Sequence, residues 1–231
     1  MAITAMKNIK TSWLSREAAA LGAYAGGATL VAGMYYMGVE GFIMIAVQAV
    51  VLLIGIVGIY SQAKIYRIKA RPSWDRSSTD KKFFGTGYVG FLLTAFVMLL
   101  QGADRSVMAI LALTLLFGAY QMFVIFEENT FYKYLSEKEQ NYYQLSRTKR
   151  LLEERFGRLK QLRLISLGIF ALGFPLLAII MIASSGFGVG AWILGIALIG
   201  ALGSELIGRY LFFRSVVPLG LAGNFFAGNQ R

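Results

Sequence analysis

The sequence predicts an all-α fold, a polytopic bundle of six transmembrane helices with both termini on the cytoplasmic side, and three observations carry that prediction. The 231 residues are 57% hydrophobic with a mean hydropathy of +0.60. Only 15% are charged, where a soluble domain carries about 25%. The charges also fall in blocks, and the runs between them match one or two lengths of the roughly 20 apolar residues that cross about 30 Å of hydrocarbon. These runs are apolar on every face, whereas the strands of a transmembrane barrel alternate apolar and polar residues.

Taken in order, residues 18–63 hold one charge, Glu40, beside glycines at 38 and 41, so they read as spans at about 18–38 and 42–62 with a tight turn between. Twenty-one uncharged residues, Phe83–Ala103, precede the pair Asp104-Arg105, and 21 more, Ser106–Phe126, follow it. That pattern is a second helical hairpin, with spans at about 83–103 and 106–126. The 41 uncharged residues 164–204 are broken by Ser184-Ser185-Gly186-Phe187-Gly188-Val189-Gly190, which predicts spans at about 164–184 and 189–213. Between the second and third hairpins, residues of about 128–163 place Tyr134, Leu135, Tyr142, Leu145, Leu152, Phe156, Leu159 and Leu162 at mostly three- and four-residue steps, an amphipathic helical segment running into the fifth span. It would lie on the headgroups or offer a platform to a cytoplasmic partner. The whole chain, 1–231, reads as one transmembrane domain, and no signal peptide is expected in its first 18 residues.

Basic residues orient the bundle. The N-terminal segment, the loops 64–82 and 127–163 and the C-terminal end hold 3, 7, 9 and 3 of the 23 Lys and Arg, leaving Arg105 for the other face. By the positive-inside rule those four segments are cytoplasmic. The net charge of +11 is then an asymmetry across a membrane, directed at lipid headgroups and not at nucleic acid. There is no Cys and no His, so this chain supplies no iron–sulfur ligation, no Cys/His zinc site, no thiol nucleophile and no bis-histidine haem.

Ionisable groups at or inside a span are functional candidates because burying them is costly. Glu205 and Arg209 stand four apart on the last span, close enough to pair along one helix face, orienting a neighbouring helix or lining a ligand or proton path. Before the first span, Ser12-Trp13-Leu14-Ser15-Arg16-Glu17 offers Ser15 as a helix cap, Glu17 as a first-turn carboxylate favoured by the macrodipole, and Trp13 as an interfacial anchor. The loop from Tyr66 and Arg67 through Arg71-Pro72-Ser73-Trp74 joins cations and aromatics in a compact face suited to anionic headgroups or an acidic protein surface. Glycines 22, 26, 27 and 33 in the first span and 195, 200, 203 and 208 in the last allow close helix approach.

Together, Ser-Trp-Leu-Ser-Arg-Glu opening a span, Tyr-Arg-(x)3-Arg-Pro-Ser-Trp after the second span, and Glu-Leu-Ile-Gly-Arg-Tyr-Leu-Phe in the last span occur in an order that resembles the membrane anchor subunit of the dimethyl sulfoxide reductase type. The resemblance implies an anchor that docks a ferredoxin-like iron–sulfur subunit and a molybdopterin catalytic subunit, and exchanges electrons with membrane quinone, menaquinone or ubiquinone. Haem and iron–sulfur clusters would be absent from this chain. It further implies a bacterial or archaeal cytoplasmic (inner) membrane location. On the family's pattern Glu17 matches a carboxylate that handles protons at the quinone pocket, shaped by Trp13 and Arg16 with Glu205 and Arg209 as secondary lining. Tyr66, Arg67, Arg71 and Trp74 would contact the partner. Two features depart from the pattern. Further spans, and a His-containing connection, usually precede the Ser-Trp-Leu-Ser-Arg-Glu stretch, so the chain is expected to be a shortened version, to lack that part, or to obtain it from another subunit. The motif-bearing loops also fall on the basic face, which resembles the anchors of membrane-bound sulfite dehydrogenases with cytoplasmic heads. The alternatives from other classes are a small-solute transporter or channel and a purely structural membrane anchor.

Overall fold

The computed structural model describes residues 9–102, 106–185 and 187–217, and divides the chain into two compact units, Met1–Arg67 and Ile68–Arg231. The expected turn at Asp104-Arg105 lies outside the described residues, as do Lys7, Gly186 and Arg231.

The first unit is a helical hairpin of α1 (Trp13–Tyr36) and α2 (Phe42–Tyr66). Its turn needs glycine twice, at Gly38 (φ 72°) and Gly41 (φ 79°), because a Cβ is strained in that left-handed region. Around Gly38 the backbone closes the end of α1, with the Met37 N–H donating to the Gly33 carbonyl at 3.0 Å and the Val39 N–H to that of Met34 at 3.0 Å. Helix α2 is long and apolar enough to cross a membrane. Helix α1 has 24 residues, about 36 Å at 1.5 Å each, which is span length. Its hydropathy falls short of the other spans, since seven of its residues are Ala and four are Gly. Five of the six expected spans therefore qualify by length and composition.

In the second unit, four long helical segments form a bundle: Ser77–Leu100, Ser106–Lys133, Gly157–Ser184 and Gly188–Arg214. The helices outrun the apolar sequence at the basic end, starting at Ser77 and Gly157 and ending at Lys133 and Arg214, because backbone hydrogen bonding continues past the hydrocarbon boundary. The first segment is two pieces, α3 (Ser77–Gly85) and α4 (Gly87–Leu100), joined at Thr86. The Thr86 hydroxyl donates back to the Lys82 carbonyl at 3.1 Å, a bond that competes with the helix ladder. Next come α5 (Ser106–Lys133) and α6 (Tyr142–Arg150). A π-helical turn at Leu151–Arg155 leads to α7 (Gly157–Leu167), and another at Gly168–Gly173 to α8 (Phe174–Ser185) and then α9 (Phe187–Arg214).

The second π turn has an identifiable cause. Pro175 has no N–H for the carbonyl of Ala171 four residues earlier. Gly118 of α5 faces that carbonyl so closely that a Cβ there would stand 2.9 Å from the Ala171 oxygen. The core packs Tyr88, Leu92, Leu111, Leu167 and Leu194 against Ala95, Ala171, Ala178, Ala197 and Ala201, the large-against-small pattern that brings membrane helices close. On the outer face of α9, Trp192, Ile199 and Leu206 recur at seven-residue steps and are 80%, 75% and 71% exposed, an apolar ridge suited to lipid.

Candidate functional site

In the first unit the helix begins one turn earlier than the motif suggests. Ser12, not Ser15, is the N-cap, its hydroxyl accepting from the Ser15 N–H at 3.4 Å. Ser15 lies buried inside α1, and Glu17 falls beyond the first turn, so the macrodipole gives less support to its charge than the sequence suggested. The early start follows from what Trp13 and Arg16 do. The Arg16 guanidinium donates to the carbonyls of Ile9 (2.8 Å) and Lys10 (2.6 Å), holding the approaching chain. It also lies over the Trp13 ring at 4.3 Å, while Trp13 meets Tyr60 of α2 edge-on at 5.8 Å and Lys64 sits over Tyr60 at 4.9 Å. In this column two adjoining rings are flanked by a cation on each, and the ring faces stabilise both cations electrostatically. Glu17, half-buried next to it, has no hydrogen-bond or ion-pair partner among the described residues. Tyr66 and Arg67, at the end of α2, are half-buried.

The second unit opens with the Arg-Pro-Ser-Trp stretch, which is a tight turn. Pro72 occupies the second position, and the N–H groups of Trp74 and Asp75 return to the Arg71 carbonyl at 2.9 and 3.0 Å. Arg71 lies over the Trp74 ring at 4.3 Å. Trp74 itself is 4% exposed. Its indole N–H donates to the Phe212 carbonyl at 2.8 Å, and its ring stacks on that of Phe212 at 4.9 Å. The Phe212 carbonyl belongs to the last turn of α9, where carbonyls lack an intrahelical donor, so Trp74 pins the loop to the end of that helix.

Above the turn, at the basic end of the bundle, seven charged side chains gather. Lys82 pairs with Glu128 at 2.5 Å and Lys81 with Glu127 at 2.7 Å. The first pair is well buried and the second half-exposed. Arg163 is 9% exposed, and its guanidinium lies against Gly208, whose missing Cβ would stand 2.5 Å from Nε. Glu205 is also 9% exposed and accepts from the Gln121 amide at 3.3 Å. Arg209 donates to the Thr86 hydroxyl at 3.4 Å and lies over the Phe83 ring at 3.9 Å. Glu205 and Arg209 thus each reach a different neighbouring helix. Outside the spans, burial pulls the Arg76 guanidinium below its ordinary pKa, with Tyr132 and Glu128 acting against that shift.

Two small, partly open cavities touch this cluster. One, of about 40 Å³, is lined by Ser73, Lys82, Glu128, Lys160 and Arg163 among others; the second, of about 20 Å³, by Gln121, Arg163, Glu205 and Arg209 among others. They have room for a few water-sized atoms and not for a quinone ring. A cleft of about 440 Å³ opens beside Lys69, Asp75, Arg76, Phe131 and Glu139, with a mixed charge. No group of three or more metal-ligating side chains occurs among the described residues.

The family model for the DMSO reductase anchor subunit (DmsC) matches residues 1–214. The chain belongs to that family. As a DmsC-family protein it is a multi-pass membrane anchor of a DMSO reductase-type complex, in keeping with its five apolar spans. Comparison with curated proteins and with solved structures gave no match.

Of the residues singled out from sequence, the structure stacks Arg16 on Trp13 near the start of α1, where Glu17 is the next residue along the chain, and brings Arg71 and Trp74 together in one turn. Glu205 and Arg209 join a larger cluster. Sequence reasoning missed Lys82, Glu128, Arg163 and Gln121, and named Ser73 only as part of its motif. A signal for the first two was present: uncharged runs of equal length on either side of residues 104–105 place the charges that flank them at one height.

Proposed function

We propose that this DmsC-family chain is a six-span anchor in a bacterial or archaeal cytoplasmic membrane that docks an iron–sulfur subunit on its basic, cytoplasmic face and forms a quinone site at the start of α1. The molybdopterin and the iron–sulfur clusters belong to the partner subunits. The observation that carries the reading is Glu17, a half-buried carboxylate with no partner among the described residues, adjoining a stacked Arg16–Trp13 pair in a family of membrane anchors.

Quinone supplies two-electron chemistry coupled to two protons. Glu17, half-buried near the entrance of α1, takes or delivers such a proton. Trp13, held edge-on against Tyr60, offers a rigid aromatic wall, and Arg16 fixes the chain over the entrance. On the partner-facing loop, Tyr66, Arg67 and Arg71 present polar and cationic groups, while Trp74 acts through position by tying that loop to α9.

The test is Glu17→Gln in the assembled complex. Quinone-linked turnover is expected to fall about tenfold or more with a flattened pH profile, while turnover with a soluble electron donor stays intact. Unchanged quinone-linked turnover and pH profile would remove the proton role.

A further inference from the structure

We infer that the small cavity of about 40 Å³ between the Arg-Pro-Ser-Trp turn and the basic end of the bundle is a phosphate-binding site, with Arg163 as its principal donor.

The first argument is hydrogen bonding. Two of the groups lining this cavity, Arg163 Nε and Ser73 Oγ, are buried and have no hydrogen-bond partner among the described residues. Leaving a charged donor buried and unmet costs more than leaving a neutral one, and buried polar groups are satisfied in the great majority of cases. Two orphans on one small cavity point to a polar occupant that meets both.

Charge decides the kind of occupant. Lys82, Lys160 and Arg163 line the cavity against one carboxylate, Glu128. That carboxylate is held by Lys82 at 2.5 Å and also faces Arg163, whose other acidic neighbour, Glu205, lines the second cavity; the wall of the first cavity still carries three cations to one carboxylate. A neutral water would meet the hydrogen bonds and leave the excess positive charge in a low-dielectric surrounding. An oxyanion meets both, and guanidinium and ammonium groups are the usual phosphate donors.

Position names the class. Lys82 directly precedes the uncharged run that starts at Phe83, Arg163 is the last charge before the 41-residue run 164–204, and Glu127-Glu128 directly follow the run that ends at Phe126. All three therefore mark the hydrocarbon boundary on the basic side, the level at which phospholipid phosphates lie. Basic pockets between spans at this depth are suited to anionic headgroups. The site is also built: Gly208 clears the space the guanidinium occupies, and the Ser204 hydroxyl donates to the Arg163 carbonyl at 3.3 Å.

The inference rests on the membrane reading alone and not on quinone chemistry. Its test uses the full chain in nanodiscs, reading the unfolding midpoint against added inorganic phosphate, with gluconate at equal ionic strength as control. A second arm compares phosphatidylcholine discs with discs containing phosphatidylglycerol. The expected result is a saturable rise in the midpoint with phosphate, with phosphatidylglycerol, or with both. Response to the lipid alone identifies a headgroup phosphate as occupant; response to inorganic phosphate as well identifies a site open to the free anion. Arg163→Gln should weaken the response about tenfold, and Arg158→Gln, which removes an exposed cation, should leave it intact. Should Arg163→Gln not accumulate, Arg163→Lys keeps the charge, removes the Nε donor and should still weaken the response several-fold. No response in the unsubstituted chain, or a response in both Arg163 variants equal to that of the unsubstituted chain, overturns the site.

Discussion

Lys82 of α3 and Glu128 of α5 form a largely buried ion pair at 2.5 Å, one residue along from the half-exposed pair of Lys81 and Glu127 at 2.7 Å. Removing one partner of a buried pair leaves an uncompensated charge, at a cost of about 3 kcal/mol or more. Lys82→Met or Glu128→Gln alone should therefore destabilise the bundle by that order in a denaturant titration in detergent. The joint change Lys82→Met with Glu128→Leu should recover most of the loss. Lys81→Met should cost less than about 1 kcal/mol. Equal losses for Lys81→Met and Lys82→Met would contradict the burial difference.

Trp74 joins its loop to α9 by one hydrogen bond and one stacked ring, and the two contributions separate by mutation. Trp74→Phe removes the bond to the Phe212 carbonyl and should cost about 1 kcal/mol. Trp74→Ala also removes the buried ring and should cost about 3–5 kcal/mol. Limited proteolysis of the segment 68–76 should follow the same order, and a Trp74→Ala chain as resistant as the parent would show that the loop is held by something else.

Gly208 and Gly203 lie on the same helix but differ in what a Cβ would meet. At Gly208 it would strike the Arg163 guanidinium, whereas at Gly203 nothing stands within 4 Å. Gly208→Ala should lower stability by about 1–3 kcal/mol through overpacking. Gly203→Ala should be neutral or raise it by up to about 1 kcal/mol, since Ala suits a helix better than Gly. Thermal unfolding of the two variants side by side checks the sign of each.

Much of the fold was legible. The apolar runs located the helices because crossing hydrocarbon demands about 20 residues without charge: three long helices of the second unit contain their expected spans, and Ser77–Leu100 covers the expected 83–103 as far as Leu100. Helix α1 was less clear: its Ala and Gly content suits close packing but lowers its hydropathy. The helix start at Ser12 was not legible, because Ser12 and Ser15 are both competent caps and the choice follows from Arg16 holding the carbonyls of Ile9 and Lys10. For Glu205 and Arg209, the four-residue spacing permitted an intrahelical pair. Their observed partners, Gln121 and Thr86, lie 84 and 123 positions away in the chain, and no local pattern encodes that distance.

By itself the sequence determined that this protein is helical, apolar enough for a membrane, without Cys or His ligands for metal centres, and basic in the segments that flank its spans. Those properties depend on composition and on the length of uncharged runs, which are set residue by residue. Tertiary structure alone decided that the charges bordering separate runs meet, that Gly208 makes room for Arg163, and that Trp74 faces inward to the last turn of α9. These relationships depend on which helix packs beside which and at what rotation. A difference of one residue in helix phase turns a side chain by about 100°, enough to move a buried charge into lipid.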